Sequence, residues 1–270
     1  MGQSKSFCET LIINNLYHIL MLSISELSVS FGGVKALNLS KFELNDKELR
    51  VIIGPNGAGK STFMDVLCGK TAPSSGTAFF NGEDLIGKSE VEIARMGVGR
   101  KFQKPSVFEG LTVFDNLLLG LKAKKGFLSS MFFKLADEES QRIREVAKRV
   151  NLENELYSIA GSLSHGQKQW LEIAIVLLQD SDLMLIDEPA AGMSDAETER
   201  TGALLCELSK ENGVIVIEHD MHFVEQIARE KVTVLVRGEI LTEGSFDEVK
   251  NNQDVIDCYL GTPNSAQTRK

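Results

Sequence analysis

Nine consecutive residues, Gly54-Pro55-Asn56-Gly57-Ala58-Gly59-Lys60-Ser61-Thr62, constrain this chain more than any other stretch. They fit G-x-x-x-x-G-K-[ST], the spacing of a phosphate-binding loop. Gly54, Gly57 and Gly59 let the backbone turn tightly and aim its N–H groups inward, as an anion-binding nest. The run 50–53 before the loop reads as a short buried strand, and 61–69 after it reads as a helix. That helix would point the positive end of its dipole at the same spot. Lys60 is expected to reach the β- and γ-phosphates, and the Ser61 hydroxyl to bind Mg²⁺. The stretch predicts a nucleoside-triphosphate site.

The 270 residues suffice for one large domain or two small ones. A net charge of -9 argues against broad contact with nucleic acid or anionic lipid. Cys8, Cys68, Cys206 and Cys258 are scattered, with no C-x-x-C pair, which suggests reduced thiols in a cytosolic protein. No segment reaches the roughly 20 apolar residues of a spanning helix. Residues 1–20 match neither a signal peptide nor the pattern that follows. They are expected to be a dispensable extension, with translation able to begin at Met21.

From Ser23 to Phe31 polar and apolar residues alternate, Gly32-Gly33 turn, and alternation resumes from Val34 to Leu44. Phe31 has two readings, stacking on a purine ring or packing in the core. Residues 77–80 read as a strand, Asn81-Gly82 as a corner, and 89–95 as a short helix. Thr112 caps a helix to Leu119 with Asp115 in the capping position. Lys122 to Leu135 is a basic, then apolar insertion, and 137–150 is an amphipathic helix. Ser164 is a natural N-cap for a helix to Leu178, in which Trp170 reads as core. Strands at 183–186 and 213–220, a helix at 195–210 and a hairpin around Gly238 complete the pattern. Strands alternating with helices imply a largely parallel sheet covered on both faces. Ligands of such sheets lie beyond the strands' carboxyl ends, where the phosphate loop, Asp187-Glu188 and His219 all fall.

A hydrophobic strand ending in Asp-Glu supplies what a bound triphosphate still lacks. Asp187 can hold Mg²⁺, and Glu188 can polarise the attacking water as a general base. His219 ends a neighbouring strand within plausible reach of the terminal phosphate.

In this order, Phe31, Gly54–Thr62, Gln103, Leu163–Gln167, Asp187-Glu188 and His219 resemble the ATP-binding subunit of an ABC transporter. The resemblance implies an α/β fold: a P-loop NTPase with a RecA-like, mostly parallel core, an N-terminal antiparallel β subdomain and an inserted helical subdomain. It places an ATPase core at 21–103 and 164–260, a helical subdomain at 104–163 and a tail at 261–270. By the same resemblance Phe31 is the aromatic loop, Gly54–Thr62 Walker A, and Gln103 the Q-loop, touching metal and water. Leu163–Gln167 is then the signature, Leu183–Glu188 Walker B, 191–195 the D-loop and His219 the switch histidine. Ser164, Gly166 and Gln167 would face a partner's ATP. His165 stands where this family's LSGGQ signature has its first glycine.

The insertion resembles the branched-chain amino-acid importer branch, and Gly99–Leu117, Leu163–Ile173 and Asp187–Thr201 look most like a urea importer's ATPase. The implied function is ATP hydrolysis, with ATP and Mg²⁺, driving import of urea or short amides. Branched-chain amino-acid import and lipopolysaccharide export are the alternatives. A translation- or repair-linked ABC ATPase is the rival from another class. The implied partners are a second ATPase subunit, head to tail, two membrane-spanning permeases and, indirectly, a solute-binding protein. That places the chain on the cytoplasmic face of the plasma membrane. Val107, Phe108 and Leu111 are candidate permease contacts or core residues.

Overall fold

The computed structural model describes residues 20–101, 107–121 and 137–260. Gln103, the insertion from Lys122 to Ala136, residues 1–19 and the tail after Leu260 lie outside these. Two long strands, β1 (Leu20–Phe31) and β2 (Val34–Asn45), form a hairpin, extended by β4 (Ser75–Phe80) and β5 (Glu83–Asp84) into a four-stranded antiparallel sheet. Leu20, expected in the N-terminal extension, belongs to β1 instead. Its backbone pairs with Asn45, with a register shift between it and Leu22.

The second sheet has the order β10-β9-β3-β8-β7-β6. Its strands are β3 (Leu49–Ile53), β6 (Val98–Lys101), β7 (Leu183–Asp187), β8 (Gly213–Ile217), β9 (Lys231–Val236) and β10 (Glu239–Gly244). All neighbours are parallel except the edge hairpin β9–β10. That hairpin turns at Arg237 (φ 51°) and Gly238 (φ 84°), the left-handed pair of a tight two-residue turn.

Strand alternation splits the core cleanly in two. Leu49, Val51, Ile53, Met184, Ile186, Val214 and Val216 face one hydrophobic cluster. It is closed by helices α3 (Val113–Gly120), α4 (Asp137–Arg149), α5 (His165–Leu178), α6 (Asp195–Leu208) and α7 (Met221–Ile227). Ile52, Leu183, Leu185, Ile215 and Ile217 face the other cluster, shared with the antiparallel sheet and α1 (Lys60–Leu67). Trp170 is buried as expected, and its indole N–H donates to Thr201 Oγ1 at 2.9 Å, tying α5 to α6.

The helix starts follow from their caps. Ser89, Thr112, Ser164, Ser194 and Ser245 each close a capping box with the acidic or amide residue three positions on. They open α2 (Glu90–Met96), α3, α5, α6 and α8 (Phe246–Lys250) respectively. A last helix, α9 (Gln253–Leu260), follows. Neither α8 nor α9 was read from the sequence, although Ser245-x-x-Glu248 carried the signal for the first. No described helix is long and apolar enough to cross a membrane.

Candidate nucleotide-binding site

The loop Gly54–Gly59 leaves the end of β3 and feeds α1, as its glycines dictate. Gly54 has φ 155°, and a Cβ there would sit 2.1 Å from the Leu235 carbonyl oxygen. Gly59 has φ 101°, and its Cβ would meet the Ala36 carbonyl oxygen at 2.6 Å. Only glycine permits β2 and β9 to brace the loop this closely. The Gly238 N–H donates to the Ala58 carbonyl at 2.9 Å, and Asn38 N–H to the Gly238 carbonyl at 2.7 Å. The β9–β10 turn therefore clips the loop from behind. Ala58 is buried while Asn56, Gly57 and Ser61 are exposed, so the polar side of the loop faces outward.

Lys60 bridges the loop, its ammonium donating to the Gly54 carbonyl at 2.6 Å and the Pro55 carbonyl at 3.1 Å. Burial pulls its pKa below the ordinary lysine value, and the negative charges of Glu188 and Asp187 oppose that pull. The same three charges thus meet at the ends of β3 and β7. Asp187 is buried at the end of β7, and burial pushes its carboxyl above the usual aspartate range. Arg100, Lys101 and Lys60 draw it back down, while Glu188 adds to the rise. The Ser61 hydroxyl and the Asp187 carboxylate are hard oxygen donors, a set that fits Mg²⁺ held jointly with phosphate oxygens and water.

Glu188 departs from the strand with φ 45°, a left-handed conformation that costs a non-glycine residue about 1–3 kcal/mol and concentrates at functional sites. Its N–H is fixed by the Ile217 carbonyl at 3.0 Å. The turn brings Glu188 Oε1 to 3.3 Å from His219 Nδ1. Two residues 31 positions apart are thus joined because β7 and β8 are parallel neighbours in register, Asp187 opposite Ile217. A carboxylate beside an imidazole, next to a lysine and a phosphate nest, can hold and activate a water molecule.

Phe31 stands at the tip of the β1–β2 hairpin, 54% exposed, which removes the core reading and leaves its face free. Ser164 caps α5, accepting the Gln167 N–H at 3.1 Å while Gln167 Oε1 accepts the Ser164 N–H at 2.9 Å. Gly166 is buried against Glu197, whose Oε1 lies 2.6 Å from where its Cβ would be. The structure brings the phosphate loop, Asp187, Glu188 and His219 together. It places Ser164, Gly166 and Gln167 at the start of α5, against Glu197 in the first turn of α6.

Several polar residues that shape the site were not read from the sequence. Lys101 is buried at the end of β6, donating to the Asp187 carbonyl at 3.4 Å and lying 3.8 Å from Glu172 of α5. Glu218 is buried beside His219. Arg50, in the strand that feeds the loop, bonds Glu48 through Nε at 2.7 Å and Glu243 through an Nη at 2.7 Å. A charge within a strand pattern is the only local clue to any of them.

Fold and site together define a phosphate-loop NTPase whose functional loops gather at the carboxyl ends of a parallel sheet. Residues 37–191 match the family described as ABC transporter, and 239–263 match that described as branched-chain amino acid ATP-binding cassette transporter. The chain belongs to the ABC transporter ATP-binding family. It is 35% identical over 250 residues to the high-affinity branched-chain amino acid transport ATP-binding protein LivG of Salmonella typhimurium, covering 89% of this chain and 98% of the relative. It is 36% identical over 250 residues to BraF of Pseudomonas aeruginosa, with the same coverage of both chains. Among solved structures, the ADP conformation of MJ1267, an ATP-binding cassette of an ABC transporter, superposes with TM-score 0.79 at 28% identity, covering 90% of this chain and 100% of that one. The chain is thus an ATP-hydrolysing subunit of an ABC transporter, most similar to branched-chain amino acid transport ATP-binding proteins.

Proposed function

We propose that turnover in this subunit is carried by Glu188 as general base, with His219 steadying the same water and terminal phosphate. The observation that supports it is the 3.3 Å approach of His219 Nδ1 to Glu188 Oε1 beside Lys60. In this reading the N–H groups of Gly54–Thr62 and the Lys60 ammonium cradle the phosphates, and Phe31 stacks on the base. Ser61, Asp187 and Gln103 would hold Mg²⁺, which would offset the negative charge of the phosphates. Ser164, Gly166 and Gln167 reach the ATP of a second ATPase subunit in a head-to-tail pair. Phe108, Leu111, Tyr157 and Ile159 are exposed, and a backbone bridge between Thr112 and Ile159 brings the segments that carry them together. This apolar surface suits docking to a permease, which would hold the subunit at the cytoplasmic face of the membrane. The solute-binding protein acts only through those permeases.

Glu188→Gln should retain ATP binding, lose nearly all turnover and accumulate an ATP-bound pair. An unchanged ATPase rate overturns the assignment. Lys60→Ala should differ, losing nucleotide affinity itself because the phosphate charge is no longer met.

For the solute, the names of the relatives support branched-chain amino acids. A second reading, urea or a short amide, is supported by the resemblance of 99–117, 163–173 and 187–201 to a urea importer's ATPase. Reconstituting the subunit with its permeases and solute-binding protein separates them. Stimulation of ATPase by leucine, isoleucine or valine carries the first reading, and stimulation by urea or acetamide the second.

A further inference from the structure

Glu218 is 1% exposed, and its carboxylate accepts backbone N–H groups from two different turns. Oε1 accepts from Ala190 at 3.2 Å, while Oε2 accepts from His219 at 3.0 Å and from Asp220 at 3.4 Å. Ala190 belongs to the turn that leaves Glu188, and His219-Asp220 to the turn that leaves β8. The pairing of β7 with β8 ends at Asp187 and Ile217, and the last strand carbonyls are taken by the N–H groups of Glu188 and Glu218, so the N–H groups of Ala190, His219 and Asp220 need another acceptor. One carboxylate answers three such donors.

Burying a carboxylate is costly, and burial does raise the Glu218 pKa, with the three N–H groups opposing the rise. An apolar side chain would fill the same space without that cost. The His219 ring is 61% exposed, so its place is set by its backbone and by its Nδ1, 3.3 Å from Glu188 Oε1 and 3.9 Å from Glu218 Oε2. The far side of the turn is fixed as well, because Asp220 caps α7 by accepting the N–H groups of His222 at 2.9 Å and Phe223 at 3.4 Å.

We propose that Glu218 is a positioning residue for hydrolysis, fastening the Ala190 turn to the His219–Asp220 turn and so setting the His219 ring against Glu188. This rests on the roles of Glu188 and His219 given above. Glu218→Gln keeps the shape but offers a single acceptor oxygen, and its NH₂ must face at least one backbone N–H. One of the two turns is then released.

The test is a double-mutant cycle on the intact subunit, using Glu218→Gln, His219→Ala and both together. Glu218→Gln should lower kcat about tenfold or more with KM for ATP within about twofold, since the phosphate loop is untouched. In the His219→Ala background its further loss should shrink to less than about threefold, because the group it positions is gone. A fully additive loss, or an unchanged kcat, overturns the proposal. Amide hydrogen exchange of Ala190, His219 and Asp220 reads the clamp directly and should accelerate in Glu218→Gln; unchanged protection overturns it. Were His219→Ala itself to keep full turnover, the role given to His219 would fail, and the positioning role with it. The exchange data would then still report whether the clamp exists. If Glu218→Gln does not fold, Glu218→Asp, one methylene shorter, enters the same cycle with the same expected non-additivity.

Discussion

The Ser164 hydroxyl donates a 3.0 Å hydrogen bond to Glu197 Oε1, while Glu197 Oε2 accepts from the Ser194 N–H at 3.0 Å and the Ser194 hydroxyl at 2.8 Å. One carboxylate thereby joins the starts of α5 and α6, the two helices that follow the signature turn and Walker B. It also crowds the neighbouring glycine, since a Cβ on Gly166 would lie 2.6 Å from Glu197 Oε1 and push that side chain aside. The Ser194 N–H and hydroxyl hold the Glu197 pKa below the usual glutamate range, with Ser164 and His165 contributing less.

Glu197→Ala should therefore cost about 1 kcal/mol or less, the scale of a lost helix cap at a largely solvated site. Because the folded pKa is depressed, this stability is present above the ordinary glutamate range and is lost as pH falls through the lowered value. The denaturation midpoints of the variant and the parent should differ at neutral pH and converge in acid. A constant difference at all pH values would assign the loss to packing instead.

Most of the fold was legible because each element carried its own local signal. Alternation in 23–31 and 34–44, the apolar run in 183–186 and that opening 213–220, which ends as a strand at Ile217 rather than Asp220, and the capping boxes of Thr112 and Ser164 each specify structure within a few residues. The phosphate loop, Asp187-Glu188 and His219 were legible for the same reason, since motif spacing is local. Glu218, Lys101 and Arg50 were not. Their partners are backbone groups or side chains up to 193 positions away, as with Arg50 and Glu243. Nothing near them in the chain distinguishes a buried charge from a solvated one. Phe31 shows the opposite limit, because its strand was clear while its exposure required the hairpin tip to be built.

Arg50 tests how far the loop depends on the strand beneath it. It is 1% exposed, and besides Glu48 and Glu243 it bonds Thr233 Oγ1 at 3.1 Å and the Glu43 carbonyl at 2.9 Å. Glu48 is buried with it and also accepts the Asn45 N–H at 2.9 Å. Arg50→Ala leaves the Glu48 charge buried without its main cation, which costs about 3–5 kcal/mol. Urea unfolding should show that loss, with nucleotide affinity preserved in the folded fraction. A loss under about 1 kcal/mol would mean that Glu48 finds water instead.

Phe31→Ala separates base recognition from phosphate recognition. An exposed side chain contributes little to folding, so stability should change by no more than about 0.5 kcal/mol. Stacking of one base on an aromatic face is worth about 1–3 kcal/mol, so KM for ATP should rise about fivefold or more. Binding of inorganic tripolyphosphate, which has no base, should be unchanged. An unaltered KM for ATP would remove Phe31 from the site.

Asp187 carries a conflict between folding and catalysis that pH can expose. Burial raises its pKa, so in the metal-free protein the ionised form opposes folding, and protonation relieves that cost as pH falls toward the raised value. Asp187→Asn removes the charge at nearly constant shape. The metal-free variant should therefore be as stable as the parent or more so at pH 7, with the gain shrinking as pH is lowered and the parent's own carboxyl protonates. Hydrolysis should move the other way, because a neutral amide ligates Mg²⁺ poorly and the variant should lose nearly all Mg²⁺-dependent turnover. In the parent, the Mg²⁺ concentration needed for half-maximal rate should climb on acidification while pH is still above the ordinary aspartate value of about 3.9. Thermal unfolding of both proteins without metal, followed by Mg²⁺ titrations at several pH values, measures the two halves. A variant clearly less stable than the parent at pH 7 would show that the positive charges of Arg100, Lys101 and Lys60 outweigh burial, and that Asp187 is held ionised for the fold as much as for the metal.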